Sequence, residues 1–142
     1  MTRRPVRLRR LLLLTAALGL AAGLGPVVGS VGSAAAKSYD FPLVAIDARV
    51  ALDGSMLVTE RRTYSFSGDF SWATYTLERR GWTAITDIGV ADVREPYAPG
   101  SDAPRTFQVT HRAGEVEIRW AFRAADQDVA FTIHYRLDGV VA

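Results

Sequence analysis

The chain has 142 residues, 17 of them Lys or Arg and 15 Asp or Glu, and it contains no cysteine. The absence of cysteine excludes a disulfide framework and thiol chemistry. Five of the basic residues lie within the first ten positions, and the remainder carries 12 basic against 15 acidic residues, so the composition gives no support for binding to nucleic acid.

Residues 1–36 have the three parts of a secretory signal peptide. A head with five arginines and no acidic residue precedes an apolar run at 11–25, and small residues follow at 33–36. Because signal peptidase cleaves after small residues, we predict cleavage after Ala36 and a mature chain that begins at Lys37. The sequence therefore predicts a signal-peptide helix and an exported protein.

The alternative for this leader is an uncleaved membrane anchor. Residues 11–31 approach the ~20 predominantly apolar residues that a membrane-spanning helix needs. Several glycines and Pro26 interrupt the run, and both residue types weaken a helix. We therefore favour cleavage, and we assign 37–142 to one extracytoplasmic domain.

Beyond Lys37 the hydrophobic pattern has a period of two residues, which is typical of strands. Asp53-Gly54 and Ala113-Gly114 are turn sequences between such runs, and the parity switch within 85–93 indicates a β-bulge. Three prolines mark 96–104 as a loop. The pattern predicts an all-β antiparallel sandwich of about seven strands, with a small closed barrel as the alternative. The alternating runs are 46–52, 56–66, 70–77, 85–93, 107–111, 116–122 and 129–137.

Two charged residues, Glu60 and Arg62, share the parity of the apolar positions in their run. A buried carboxylate is unfavourable by several kcal/mol unless it is paired or hydrogen-bonded. We interpret the two as a buried polar pair with a structural role. The alternatives are a pair held inside a functional pocket, or a bulge that turns both side chains outward.

Aromatic residues are concentrated at Trp72, Tyr75 and Trp82. Flat rings with a polar group are suited to stacking on sugars or contacting a protein, so the three are candidate binding residues for an envelope glycan or a protein partner. The alternative is that the tryptophans close the ends of the sandwich. A shared exposed plane of the three rings would favour binding.

No residue pattern for catalysis, a cofactor or a metal is present. The histidines lie far apart at His111 and His134, and the pair Asp126 and Asp128 offers a calcium ion two carboxylates without a third nearby. We therefore predict no enzyme, no cofactor and no metal site. The polar residues opposite the apolar face of the last two runs are expected to meet solvent. They are Arg119, Arg123, His134 and Arg136.

The mature chain resembles the opening of a bacterial family of predicted membrane proteins, catalogued as domain of unknown function 2207. The family implies a signal peptide, an extracytoplasmic β domain and then transmembrane segments, and it brings no established activity. This chain departs from the family pattern at 75–78, where an Arg and an apolar-Pro pair are expected. The resemblance is carried by SYDFPLV (38–44), VTE (58–60), TYSFSGDF (63–70), ITDI (85–88), IRWAF (118–122) and FTIHY (131–135).

These observations favour a non-catalytic interaction domain at the extracytoplasmic face of the cell membrane. An exported enzyme acting on envelope polysaccharide and a structural spacer are the alternatives. The apolar residues 140–142 follow a turn, so we expect the domain to be truncated there and the membrane to be reached through the leader or a missing C-terminal span. A missing strand would leave 129–137 as an unpaired sheet edge.

Overall fold

The computed structural model describes residues 36–140, which contain eight strands and no helix. Apart from Ala36, the predicted signal peptide lies outside the described residues. Within the described part of the chain, no helix is long and apolar enough to span a membrane. The strands are β1 (Ser38–Val50), β2 (Met56–Ser67), β3 (Asp69–Glu78), β4 (Ala84–Ala91), β5 (Ala98–Pro99), β6 (Thr106–Arg112), β7 (Glu115–Ala125) and β8 (Asp128–Asp138).

The strands form two four-stranded sheets, in the orders β1-β2-β8-β4 and β3-β7-β6-β5. Neighbouring strands are antiparallel, except that β5 pairs in parallel with β6 over two residues. The predicted β-sandwich is therefore confirmed. The strand beyond the seven expected is β5, which lies in the segment predicted to be a loop.

The core lies between the two sheets and is centred on Trp120 of β7, which is fully buried. Its ring centroid lies 5.5 Å from that of Phe131 on β8 and 6.3 Å from that of Tyr64 on β2. Ile118 and Ile133 are fully buried beside it. The alternating parity of β7 and β8 thus assigned the inward face correctly.

Three turns and bulges follow the predicted chemistry. Gly54 and Gly114 adopt φ angles of 79° and 83° in the turns after β1 and β6, a region that glycine enters without a steric penalty. The register of β4 against β8 shifts between Thr86 and Gly89, which confirms the bulge. At this bulge Asp87 has a φ of 51°.

The expectation that β8 would be an unpaired edge is wrong. β8 is hydrogen-bonded to β2 on one side and to β4 on the other. The edges of its sheet are β1 and β4, because the chain returns to place β8 between β2 and β4. Sequence order alone had suggested the wrong edge.

Candidate functional site

The carboxylate of Glu60 is buried, with a side chain 2% exposed, and both of its oxygens accept hydrogen bonds. The hydroxyls of Tyr75 and Tyr135 each donate to Oε1 at 2.6 Å. The Nε and Nη2 groups of Arg62 donate to Oε2 at 3.0 and 2.7 Å. Glu60 and Arg62 therefore form a polar pair inside the sandwich, as their parity had suggested.

Alternation along β2 and β3 brings these side chains together. Glu60 and Arg62 are two residues apart on one strand, so both face the opposite sheet. Tyr75 lies on β3 of that sheet, and its ring is stacked under the guanidinium of Arg62, 4.2 Å from the ring centroid. Tyr135 was not predicted to belong to the pair, because only strand pairing places β8 beside β2.

Hydrogen bonding controls the ionisation of this cluster. Burial alone would raise the pKa of Glu60, but the hydrogen bonds from Tyr135, Tyr75 and Arg62 outweigh it, and the pKa lies below its ordinary value. Burial and the bond to Glu60 raise the pKa of Tyr135. The carboxyl group of Glu60 is therefore ionised at neutral pH.

The three candidate binding aromatics do not form one exposed plane. Trp72 is 51% exposed, whereas Trp82 is only 8% exposed. The indole Nε1 of Trp82 donates to the carbonyl oxygen of Glu78 at 3.2 Å, and the ring belongs to the buried core. Tyr75 is half-buried because its hydroxyl reaches Glu60. Of the three, Trp72 is the ring that faces solvent.

Strand β1 has the exposed apolar surface that the sequence did not reveal. All thirteen of its residues are exposed, although its register places Ile46 opposite Glu60 and Val44 opposite Arg62. Paired residues point to the same face of a sheet, so these apolar side chains face the direction of the core. They extend beyond β3, and no described residue covers them.

A bulge at Pro42 keeps the aromatic residues of β1 on the same face. The register shifts between Asp40 and Leu43, and proline is tolerated at bulges and on edge strands because it lacks an N–H group. Tyr39 and Phe41 consequently face the same side as Val44 and Ile46 beyond the bulge. The break in parity at Pro42 hid this continuous row from the sequence pattern.

The N-terminal half of β1 and the start of β3 enclose a groove of about 440 Å³. The ring of Phe41 lies 4.6 Å from that of Tyr64, and the ring of Tyr39 lies 6.0 Å from that of Phe70. Aromatic rings therefore form most of its walls. The aromatic residues that line it are Tyr39, Phe41, Tyr64, Phe66, Phe70 and Trp72.

The residues expected on the solvated face lie there. Arg123 and His134 are exposed, and Arg136 forms an ion pair with Asp53 at 2.6 Å. Arg119 pairs with Asp102 at 3.1 Å. Neighbouring carboxylates thus balance the charges of Arg119 and Arg136.

The two carboxylates considered for calcium lie in and after the turn from β7 to β8. Oδ1 of Asp126 accepts a hydrogen bond from the backbone N–H of Gly68 at 2.7 Å, which ties this turn to the one between β2 and β3. Among residues 36–140, no group of three or more His, Asp or Glu side chains is arranged to hold a metal ion. The structural role of Asp126 accounts for its position.

Comparison with known proteins identifies the family of the chain. No curated protein and no solved structure matches it. The family model described as the N-terminal domain of a predicted membrane protein, domain of unknown function 2207, matches residues 41–142. This span includes all of β2 to β8 and most of β1. The chain therefore belongs to this family of predicted membrane proteins and corresponds to its N-terminal domain.

Proposed function

We propose that residues 37–142 form a non-catalytic, extracytoplasmic interaction domain, which binds an envelope glycan or protein through the face formed by β1 and the start of β3. The extracytoplasmic position is supported by the signal-peptide pattern of 1–36, since such a leader directs export. The domain then presents this face outside the membrane to which its family is assigned.

The distribution of exposed apolar side chains carries the proposal. Of the ten large hydrophobic residues that are exposed within 36–140, six lie on β1, and five of these six face the core side of their sheet. Scattered exposed hydrophobics are normal, but a contiguous patch is characteristic of an interaction site. The five are Tyr39, Phe41, Val44, Ile46 and Val50, whereas the sixth, Leu43, pairs with Thr63 and points to the outer face.

The test is site-specific photo-crosslinking in the native host. A photoreactive phenylalanine analogue replaces Phe41, which is 44% exposed on the proposed face. The matched control carries it at Leu57, which is 47% exposed on the outer face of β2. We expect a discrete adduct from position 41 and none from position 57.

Enzymatic treatment of the adduct identifies the kind of partner. Sensitivity to a protease alone assigns a protein, and sensitivity to a muramidase assigns an envelope glycan. Equal adducts from both positions, or none from either, would contradict an interaction site on β1 and would leave the structural spacer as the function of the domain.

A further inference from the structure

The two sheets of the sandwich end at different places along one side. β2 lies opposite β3, because Tyr75 donates to Glu60 and the ring centroids of Phe70 and Phe66 are 4.7 Å apart. β1 pairs beside β2 and so extends one strand further than β3. We call the space beside β3 and below β1 the edge position.

The edge position has a row of backbone groups along one side. β3 is the last strand of its sheet, and within 36–140 it pairs only with β7. Half of the N–H and C=O groups of an edge strand point away from its one neighbour, and they are available to a further strand. An extended peptide can therefore continue the sheet at β3.

The other side of the edge position is apolar. Val44, Ile46 and Val50 of β1 face it and are 44%, 61% and 61% exposed. In a sandwich, such inward-facing side chains are normally covered by the opposite sheet. A strand beside β3 would cover them with its own inward side chains, which lie at every second position.

We propose that the edge position binds an extended strand of a partner polypeptide, which pairs with β3 and packs alternate apolar side chains against β1. This inference rests on the proposed function and names the partner class: a peptide segment with apolar residues at every second position. A glycan does not supply the regular N–H and C=O pairs that match a strand edge.

The size of the edge position favours a single strand over a folded partner. The thirteen residues of β1 span about 40 Å, and one strand occupies a width of about 5 Å. The area of that narrow face is well below the roughly 800 Å² that each partner contributes to a stable interface between folded proteins. Backbone hydrogen bonding provides affinity that the contact area alone does not.

A second copy of the chain does not fit the edge position. If two copies paired through β3, the β3 of the second copy would fill the edge position of the first. The β2 of the second copy, which lies opposite its own β3, would then lie above that edge position. In the first copy β1 already occupies that position, since it lies one strand beyond β2. The two strands would overlap, so pairing through β3 requires a partner without a second layer.

The experiment uses synthetic peptides of about ten residues, a usual strand length, that alternate valine and threonine and carry lysines at both ends. In an extended strand, the N–H groups of alternate residues point to opposite edges. Methylating the valine nitrogens blocks one edge, and methylating the threonine nitrogens blocks the other. Either change also prevents the peptide from forming fibrils.

The protein is the chain purified from an exporting host, and binding is measured by titration calorimetry. Quenching by acrylamide gives an independent readout, because Trp72 is 51% exposed while Trp82 and Trp120 are 8% and 0% exposed. We expect one of the two methylated peptides to bind and to protect Trp72, and the other to lose binding at least ~10-fold. Equal binding of both, or binding of neither, would overturn the pairing with β3.

Two protein variants test the contribution of β1. Ile46→Thr removes an apolar side chain from the edge position while it keeps a β-branched residue, and Leu57→Thr makes the same kind of change on the outer face of β2. Ile46→Thr should weaken peptide binding by about tenfold or more, and Leu57→Thr should leave it unchanged. Equal effects of the two would contradict the proposal, provided that urea unfolding finds both variants folded.

Failure of this inference is distinguishable from failure of the proposed function. A photo-adduct at position 41 without peptide binding would refute the proposal that a strand adds to β3. It would still support the proposal that the domain is an interaction domain. Peptide binding without a photo-adduct would support the strand-binding site at β3. It would refute the proposal that this face binds a partner in the host. Sedimentation that detects a dimer, which the peptide dissociates, would assign the edge position to a second copy and overturn the proposal.

Discussion

Replacing Glu60 by Gln should destabilise the domain strongly, although the change preserves the shape of the side chain. The remaining amide oxygen can still accept hydrogen bonds from Tyr75 and Tyr135, which lie 2.6 Å from Oε1. The new NH₂ group cannot accept from Arg62, because both are donors. The variant therefore loses the two bonds that Arg62 makes at 3.0 and 2.7 Å.

The magnitude follows from the burial of the pair. Breaking a buried ion pair by removing one partner costs about 3–5 kcal/mol, because the other charge stays desolvated. The side chain of Arg62 is 19% exposed, so water compensates part of its charge and the low end of this range applies. We expect Glu60→Gln to lower the free energy of unfolding by about 3 kcal/mol. Tyr135→Phe removes one hydrogen bond to a charged group and should cost about 1.5–3 kcal/mol.

The effect should depend on pH in one direction. The pKa of Glu60 in the folded state lies below its ordinary value of 4.5, so the unfolded chain takes up the proton first as the pH falls. The stability from this carboxylate is present above pH 4.5 and is lost as the pH falls through the folded pKa. The difference between the wild type and Glu60→Gln should therefore be largest at neutral pH and smaller at about pH 3.

Urea unfolding followed by tryptophan fluorescence at both pH values measures these differences. Glu78→Gln is the matched control, because Glu78 is 66% exposed and its one ion pair among residues 36–140 is with Arg80 at 2.9 Å. It should change stability by no more than ~0.5 kcal/mol. If Glu60→Gln resembled this control at neutral pH, the carboxylate would not hold the cluster together. A difference that grew in acid would refute the direction of the pKa shift.

Three further predictions follow from the sequence and the fold. N-terminal sequencing of the protein from an exporting host should give Lys37 as the first residue, and retention of 1–36 would favour the anchor. In urea unfolding, Trp120→Ala should lower the free energy of unfolding by about 3–5 kcal/mol, because it removes a large core aromatic. The control His134→Ala changes an exposed residue and should lower it by no more than ~0.5 kcal/mol. The reverse order would contradict the burial of Trp120. Burial raises the pKa of both Tyr64 and Tyr97 to about 12. The tyrosinate absorbance of the folded protein should therefore keep rising well above pH 10.0. If all of the absorbance change occurred in a single titration step at that pH, the burial of both rings would be refuted.

The sequence by itself determined the faces of the strands and the turns between them. Side chains alternate along a strand by covalent geometry, so parity alone placed Trp120 in the core and Glu60 beside Arg62 facing inward. Gly54 and Gly114 marked turns because glycine adopts positive φ without steric strain. These properties depend on neighbouring residues, and the local pattern is sufficient to predict them.

Tertiary structure decided which strands are neighbours and where each sheet ends. Alternation fixes the face of a strand but not its partner, so β8 appeared to be an edge although it lies between β2 and β4. Trp72 and Trp82 were alike in the sequence, but the fold exposes the first and buries the second. Alternation places Val44, Ile46 and Val50 on one face of β1. That face meets solvent because its sheet extends one strand beyond the opposite one, which is a consequence of long-range pairing.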